Sequence, residues 1–158
     1  MTTTPTAQPF RGYRTTVRPE WLDYNGHMND SAYGIVCTQA NELFLEALGL
    51  SADYQAATHH AMFTVEAHLR YLAEVGPDDE LEAETLLVDH GPKRLHVHTT
   101  IHRSDGTAAL TGEYLFLHVD QGTGRVVAMP SDREQAVQEM ASSQEDMALP
   151  EDVGKGIR

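Results

Sequence analysis

The chain has 158 residues, 41% of them hydrophobic and 22% charged, which fits one globular domain. Its formal net charge of -13 argues against a nucleic-acid or anionic-membrane partner, and no apolar run approaches the roughly 18 residues of a membrane helix. The first ten residues lack the features of a signal peptide. With Cys37 as its single cysteine, the chain cannot form an internal disulfide, and a cytoplasmic location is expected.

A flexible arm is expected over residues 1–10, followed by a strand over residues 11–18 that Pro19 ends. The next stretch, PEWLDYNGHMND, is rich in turn-forming residues and predicts a loop. A helix is then predicted from a cap at Asp30 or Ser31 to about Leu48, with Gly49 as its end. Its apolar residues lie at three- and four-residue spacing and extend onto the other faces. We therefore expect a helix covered on nearly all sides, in which Cys37 has a packing role.

From about residue 61 the apolar residues alternate, which is typical of strands. Four such segments follow, FTVEAHLRYL, ELEAETLLV, RLHVHTTIH and AALTGEYLFLHVD, and the short turns between them predict an antiparallel meander. A short strand around Val126 and a weak helix from Asp132 to Met140 come next. The acidic residues 143–158 are expected to be disordered.

This order predicts an α+β domain over residues 11–142, with one long central helix wrapped by a curled antiparallel sheet of about five strands. The outer face of the sheet carries His96, His98 and Glu66 and suits solvent or a wet subunit interface. His96, His98 and His102 share one face, as metal ligands on a strand would. No cysteine supports that reading, so a polar stripe is favoured and no metal site is predicted.

The densest cluster of reactive side chains lies directly before the helix and comprises Asp23, Asn25, His27, Asn29 and Asp30, beside Trp21 and Tyr24. Unpaired N–H groups at a helix start can stabilise negative charge. A carboxylate beside them forms half of an acyl-transfer site, in which Asp23 attacks or activates water. Turn and cap residues of the same types also occur without catalysis, so the pattern alone leaves both roles open.

The stretch DYNGHMNDSAY resembles the hotdog-fold acyl-CoA thioesterases of the 4-hydroxybenzoyl-CoA thioesterase type, in which Asp-x-x-Gly-His-x-Asn recurs. Four segments, PEWLDYNGHMND, VEAHLRYLAEV, KRLHVH and EYLFLHVD, together resemble the betainyl-CoA thioesterases of carnitine breakdown. Those proteins occur alone or fused to L-carnitine dehydrogenase. No glycine-rich nucleotide fingerprint is present here, so a dehydrogenase partner is expected to be a separate chain.

The resemblance implies that Asp23 is the catalytic carboxylate, three residues before Gly26, and that the amide at about Asp30 polarises the thioester carbonyl. It implies that His27 and Asn29 shape the loop and orient water or the carboxylate. Related members place the carboxylate on the helix, where Glu42 is the alternative. It also implies a homodimer or a tetramer of dimers with shared sites, with no cofactor other than the coenzyme A of the substrate.

The acyl group of betainyl-CoA ends in a trimethylammonium, which aromatic faces and carboxylates bind. The candidates for this role, together with Gly26 of the loop, are Trp21, Tyr24, Tyr33, Tyr71 and Glu66. A packing role is the alternative for Trp21, Tyr33 and Tyr71. Lys93 and Arg94, the only adjacent basic pair, are candidates for binding the phosphates of coenzyme A.

Two other functions stay open: a hotdog thioesterase for another short or aromatic acyl group, and a non-catalytic acyl-CoA sensor. Sensors of this kind depend on a DNA-binding segment, and the chain has neither a helix-turn-helix pattern nor a basic patch. A hydratase is disfavoured because it places its aspartate and histidine one residue further apart than Asp23 and His27.

Overall fold

The computed structural model describes residues 7–157. It contains three α-helices, α1 (Asp30–Ala47), α2 (Ala52–Thr58) and α3 (Ser131–Ser143), and a 3-10 turn at Pro19–Trp21. Its strands are β1 (Phe10–Thr16), β2 (His60–Tyr71), β3 (Glu80–Gly91), β4 (Arg94–Arg103), β5 (Ala108–Asp120) and β6 (Arg125–Val126). Five long strands and one short one form a single antiparallel sheet, which confirms the predicted α+β class.

The strands lie in the order β1-β3-β4-β5-β2, and β6 pairs with β5. The predicted meander is correct for β3, β4 and β5 but wrong for β2, which crosses over to pair with β5. After Tyr71 the chain leaves the sheet, and the N–H groups of Leu72 and Ala73 both donate to the carbonyl of Ala109. Alternating hydrophobicity identifies a strand and its faces, but it does not identify the strand's neighbour.

Helix α1 packs against the inner face of the sheet and forms the core with residues such as Phe44, Leu95 and Ile101, which are fully buried. Its cap is Asn29, whose side chain accepts a hydrogen bond from the N–H of Ala32, so the expected cap at Asp30 or Ser31 was one or two residues too late. Gly49 follows the helix with a φ of +70°, as its role as a stop requires.

The helix is not covered on all sides. Ile35 is 44% exposed, and Thr38, Glu42 and Ala47 are exposed as well. The sheet of one chain covers only one side of a helix, because a strand layer contacts a stripe and not a whole circumference. The expectation of a helix covered on nearly all sides was wrong, because apolar residues also lie outside the stripe that contacts the sheet.

The tail also differs from the expected disorder. The side chain of Gln144 accepts a hydrogen bond from the N–H of Leu87 and donates one to the carbonyl of Thr85. Asp152 and Ile157 are buried, and Asp152 contacts His98 and Thr111 on the outer face of the sheet. The chain therefore covers its own outer face, and His98, expected to face solvent or a subunit, is only 1% exposed.

Residues 1–6 of the expected flexible arm lie outside the described residues, and Phe10 at its end belongs to β1. The ring of Phe10 packs edge-on against Phe44 with 5.6 Å between the ring centroids. Over residues 7–157, no helix has both the length and the hydrophobicity to cross a membrane.

Candidate active site

The loop before α1 folds back on itself as a tight turn. The N–H of Asp23 donates to the carbonyl of His27 at 2.8 Å, and the N–H of Gly26 donates to the carbonyl of Asp23 at 3.0 Å. Gly26 has a φ of +78°, a conformation that side chains disfavour. The half-buried carboxylate of Asp23 accepts the N–H of Asn25 at 2.8 Å, which fixes one of its oxygens and leaves the other available.

Asn29 ties this loop to the start of α1. Its backbone N–H and its side-chain Nδ2 both donate to the carbonyl of Trp21, at 2.8 and 2.7 Å. Its side-chain oxygen accepts the N–H of Ala32 at 3.0 Å. One side chain therefore holds both ends of the Asp23 loop and the first turn of the helix in a fixed relation.

The first turn of α1 leaves one amide available. The N–H of Ser31 donates to the carboxylate of Asp30 at 2.9 Å, and Asn29 satisfies Ala32. The N–H of Asp30 has no acceptor within residues 7–157. An unpaired N–H at the positive end of an 18-residue helix suits a ligand oxygen that gains negative charge.

A depression of about 330 Å³ opens at this helix start. It is lined by Met28, Asp30, Tyr33, Tyr71, Leu72, Ala73 and Glu74. The rings of Tyr33 and Tyr71 meet edge-to-face, with centroids 5.3 Å apart. The hydroxyl of Tyr33 donates to the carbonyl of Ala73 at 3.2 Å, and burial raises its pKa, so the phenol stays neutral.

Glu74 joins the depression to the Asp23 loop. Its carboxylate lies 3.5 Å from Nε2 of His27, and its side chain is 80% exposed. Glu74 could not be identified from the sequence because it lies in the connection between β2 and β3, where a single carboxylate carries no spacing signal. Only the folded chain brings it beside residues that precede it by more than forty positions.

The structure thus brings together Asp23, Gly26, His27 and Asn29 of the loop with Asp30, Tyr33 and Tyr71 around the depression. The remaining candidates lie elsewhere. Trp21 is buried, and the guanidinium of Arg18 lies 5.0 Å above its ring. Tyr24 is 97% exposed in the loop, and Glu66 is exposed on β2 opposite Leu115.

Lys93 and Arg94 lie at the turn between β3 and β4. This turn is at the far end of β3 from Glu80, whereas the loop residue Met28 bonds to Val75, just before β3 begins. Arg94 pairs with Asp89 at 2.6 Å. Glu42 lines a separate groove between α1 and β1.

The three histidines that suggested a metal each face a different carboxylate: His96 lies 2.7 Å from Glu113, His98 3.2 Å from Asp152, and His102 3.4 Å from Glu84. In the described part of the chain, no three His, Cys, Asp or Glu side chains converge as a metal site would require. These histidines take part in hydrogen bonds and ion pairs on the outer face of the sheet.

A family model described as the thioesterase-like superfamily matches residues 17–140. The chain is 34% identical over 152 residues to a betainyl-CoA thioesterase of Pseudomonas aeruginosa, and the match covers 96% of both chains. It is 43% identical over 150 residues to an L-carnitine dehydrogenase/betainyl-CoA thioesterase of Agrobacterium fabrum. That match covers 95% of this chain but only 31% of the Agrobacterium protein.

Two solved structures are similar over nearly the whole chain. One is a hypothetical protein of Staphylococcus aureus in complex with CoA, with a TM-score of 0.91, 29% identity and 99% coverage of both chains. The other is a putative thioesterase of Pseudomonas putida, with a TM-score of 0.81, 29% identity, and coverage of 95% of this chain and 96% of that one.

Proposed function

The chain belongs to the thioesterase-like superfamily, and we propose that it hydrolyses betainyl-CoA to glycine betaine and free coenzyme A, as a step of carnitine degradation. The observation that carries this proposal is the role of Asn29, which binds the carbonyl of Trp21 next to the Asp23 loop and caps the helix at whose start the N–H of Asp30 is available. The carboxylate of Asp23 is itself fixed by the N–H of Asn25. The full-length similarity to the Pseudomonas aeruginosa betainyl-CoA thioesterase supports the acyl group. The CoA complex of the Staphylococcus aureus protein supports the thioester carrier.

In the proposed reaction, the thioester oxygen accepts the N–H of Asp30, and the positive end of α1 stabilises the charge that develops on it. Asp23 either takes a proton from the attacking water or attacks the carbonyl carbon itself. When Asp23 acts as the base, collapse of the tetrahedral intermediate breaks the C–S bond, and the departing thiolate takes up the proton that Asp23 has taken from water. When Asp23 attacks, the collapse expels the thiolate and leaves an acyl anhydride on Asp23. Water then hydrolyses this anhydride, which restores the carboxylate and supplies the proton that the thiolate takes up. The net change is the addition of one water molecule, and no cofactor beyond the coenzyme A of the substrate is needed.

We further propose that the enzyme is a cytoplasmic homodimer, or a tetramer of such dimers, with sites shared between subunits. Within residues 7–157, no strand pairs with the outer edge of β2. This edge strand exposes Phe63, Val65 and Tyr71, at 43%, 47% and 53%. A long strand edge with exposed apolar side chains favours pairing with a second copy. Since Tyr71 also lines the depression, a partner on β2 would help to enclose it.

The test is thiol release from betainyl-CoA beside acetyl-, butyryl- and 4-hydroxybenzoyl-CoA. We expect the enzyme to prefer betainyl-CoA and Asp23→Asn to lower kcat by roughly a hundredfold or more. Asp53→Asn, an exposed aspartate of α2, is the matched control. Glu42→Gln tests the alternative carboxylate on the helix and is expected to retain activity.

Other outcomes separate the alternatives. If a different ester is hydrolysed and the activity still depends on Asp23, the thioesterase chemistry stands and the betainyl substrate is wrong. If the protein binds acyl-CoA tightly but hydrolyses none of the four esters, it is a sensor and not an enzyme.

A further inference from the structure

We propose that Tyr71, Tyr33 and Glu74 form the subsite for the trimethylammonium group of the acyl chain, with Glu74 as its counter-ion in place of Glu66. This inference rests on the proposed function and specifies which side chains recognise the substrate. It arises from the depression at the start of α1, whose composition matches the chemistry of a quaternary ammonium.

A quaternary ammonium has no hydrogen to donate, so a protein binds it through aromatic faces and nearby negative charge. Tyr71 is 53% exposed and is the accessible ring of the depression. Tyr33, only 5% exposed, supports it from behind through the edge-to-face contact. The hydroxyl of Tyr71 also reaches the carbonyl of Asp30 at 3.4 Å, which orients the ring toward the helix start.

The charged groups around the depression favour a cation. Two acidic residues, Asp30 and Glu74, line it, and the carboxylate of Glu74 lies 3.5 Å from Nε2 of His27. The guanidinium of Arg103 donates to the backbone carbonyl of Glu74 at 3.4 Å. Its charge is balanced by Asp79 at 3.7 Å and Asp105 at 3.4 Å.

The length of the substrate places the cation close to the reaction centre. In a betainyl thioester, the quaternary nitrogen is separated from the reacting carbonyl carbon by a single methylene group. The subsite must therefore adjoin the group that binds the carbonyl oxygen. The depression meets this condition, because Asp30 both lines it and supplies the available N–H.

The other candidates lack this placement. Neither Glu66 nor Trp21 lines the depression. The face of Trp21 is already occupied by the guanidinium of Arg18, 5.0 Å from the ring centroid. A second cation on that face would have to displace Arg18 and would gain little over it.

The test compares betainyl-CoA with 3,3-dimethylbutanoyl-CoA, in which carbon replaces the charged nitrogen and the shape is kept. Selectivity is the ratio of the two kcat/KM values. We expect Glu74→Gln to lower it roughly tenfold and Glu66→Gln, which removes the same charge, to leave it unchanged. Tyr71→Leu is expected to lower the selectivity as well. Tyr71→Phe, which keeps the aromatic face, is expected to retain the selectivity of the wild type.

The subsite is wrong if Glu74→Gln lowers kcat/KM equally for both esters. It is also wrong if only Glu66→Gln lowers the selectivity. Binding tests it independently of turnover. Calorimetry with the thioether (2-trimethylammonioethyl)-CoA and its neutral 3,3-dimethylbutyl counterpart should show a preference for the cation that Glu74→Gln reduces. If the wild type hydrolyses neither ester but keeps this preference, the proposed function fails and the subsite stands. If the preference is absent, the subsite fails.

Discussion

The carboxylate of Asp152, near the end of the chain, lies 3.2 Å from Nε2 of His98 on the central strand β4. The same carboxylate accepts the hydroxyl of Thr111 at 2.6 Å and lies 3.3 Å from the guanidinium of Arg70 on β2. One tail residue thus contacts strands β2, β4 and β5. The tail is a structural part of the domain and covers polar groups that would otherwise face water.

Replacing Asp152 with alanine should lower the free energy of unfolding by about 2–4 kcal/mol, because His98 and Thr111 lose their buried acceptor. Urea denaturation followed by circular dichroism measures the change. The adjacent Glu151, which is exposed, provides the control, and Glu151→Ala should change the stability by less than about 0.5 kcal/mol. Equal stability of the two variants would show that the tail does not hold the sheet.

The network around His98 should make the protein less stable in acid. Burial lowers the pKa of His98, although Asp152 and Glu113 oppose the shift. The folded protein therefore resists the proton that the unfolded chain takes up near pH 6.5. The stability due to neutral His98 is complete above that pH and is lost as the pH falls below it.

Asp152 changes stability in the same direction at lower pH. Burial raises its pKa, but the hydrogen bond from Thr111 and the charge of His98 outweigh burial and lower it overall. Its contribution is lost as the pH falls through the carboxylate range.

The free energy of unfolding, measured in urea at pH 7.5 and 5.5, should decrease by at most about 1.4 kcal/mol per pH unit for each histidine proton.

The variant His98→Gln keeps a hydrogen-bond donor for Asp152 but has no ring that titrates. The free energy of unfolding of this variant should therefore depend less on pH. His118, whose pKa burial also lowers, accounts for part of the remaining dependence. An undiminished decrease in His98→Gln would exclude His98 as its source.

The sequence predicted the long helix and the strands because their signals are local, but it did not predict the short helix α2. Gly49, Pro19 and the alternation along each strand mark boundaries and faces without reference to the rest of the fold. The partner of β2 could not be predicted, since pairing with β5 depends on the path of the connection after Tyr71. The tail was missed because its composition is acidic, while three separate residues, Gln144, Asp152 and Ile157, hold it in place.

The same distinction applies to the candidate site. Asp23, Gly26 and Asn29 belong to one loop, and their turn and cap chemistry is visible in the sequence. Tyr71 and Glu74 approach that loop only through the fold, so residue type alone could not separate Glu74 from Glu66. The structure distinguishes them, because Glu74 lines the depression at the start of α1 and Glu66 does not.

Asn29 should matter more for activity than for stability. Asn29→Ala removes a helix cap, which costs about 1 kcal/mol of stability. It also removes the hydrogen bond from Nδ2 to the carbonyl of Trp21. Because Asp23 and the Asp30 amide then lose their alignment, kcat should fall by roughly tenfold or more. Asn29→Asp keeps the cap oxygen but not the Nδ2 donor. Its stability should be close to wild type while its activity stays low.

Asn25→Ala, at an exposed position of the same loop, serves as the stability control. Full activity of Asn29→Asp would contradict the role assigned to the bond between Nδ2 and the Trp21 carbonyl. Stability is followed by thermal denaturation and activity by thiol release.

A buried chain of hydroxyl and amide groups joins α1 to the sheet. The hydroxyl of Thr99 donates to Oδ1 of Asn41 at 2.8 Å and lies 3.0 Å from the hydroxyl of Thr85. Thr99→Val leaves the oxygen of Asn41 buried without this donor and should cost about 1–3 kcal/mol. Thr100→Val, at the next, half-buried position, is the matched control and should change little. Urea denaturation distinguishes the two.

The exposed edge of β2 should determine the oligomeric state. Val65, 47% exposed, lies at a register shift in the pairing of β2 with β5. Val65→Lys places a charge from each subunit at the proposed dimer contact, where like charges repel and burial is unfavourable. We expect light scattering to report a monomer and thioester hydrolysis to fall together with the dimer, while circular dichroism shows a folded chain.

Val126→Lys, at a 39% exposed valine on β6, should leave both mass and activity unchanged. A Val65→Lys variant that stays dimeric would place the contact elsewhere, and an active monomer would show that one chain holds the complete site.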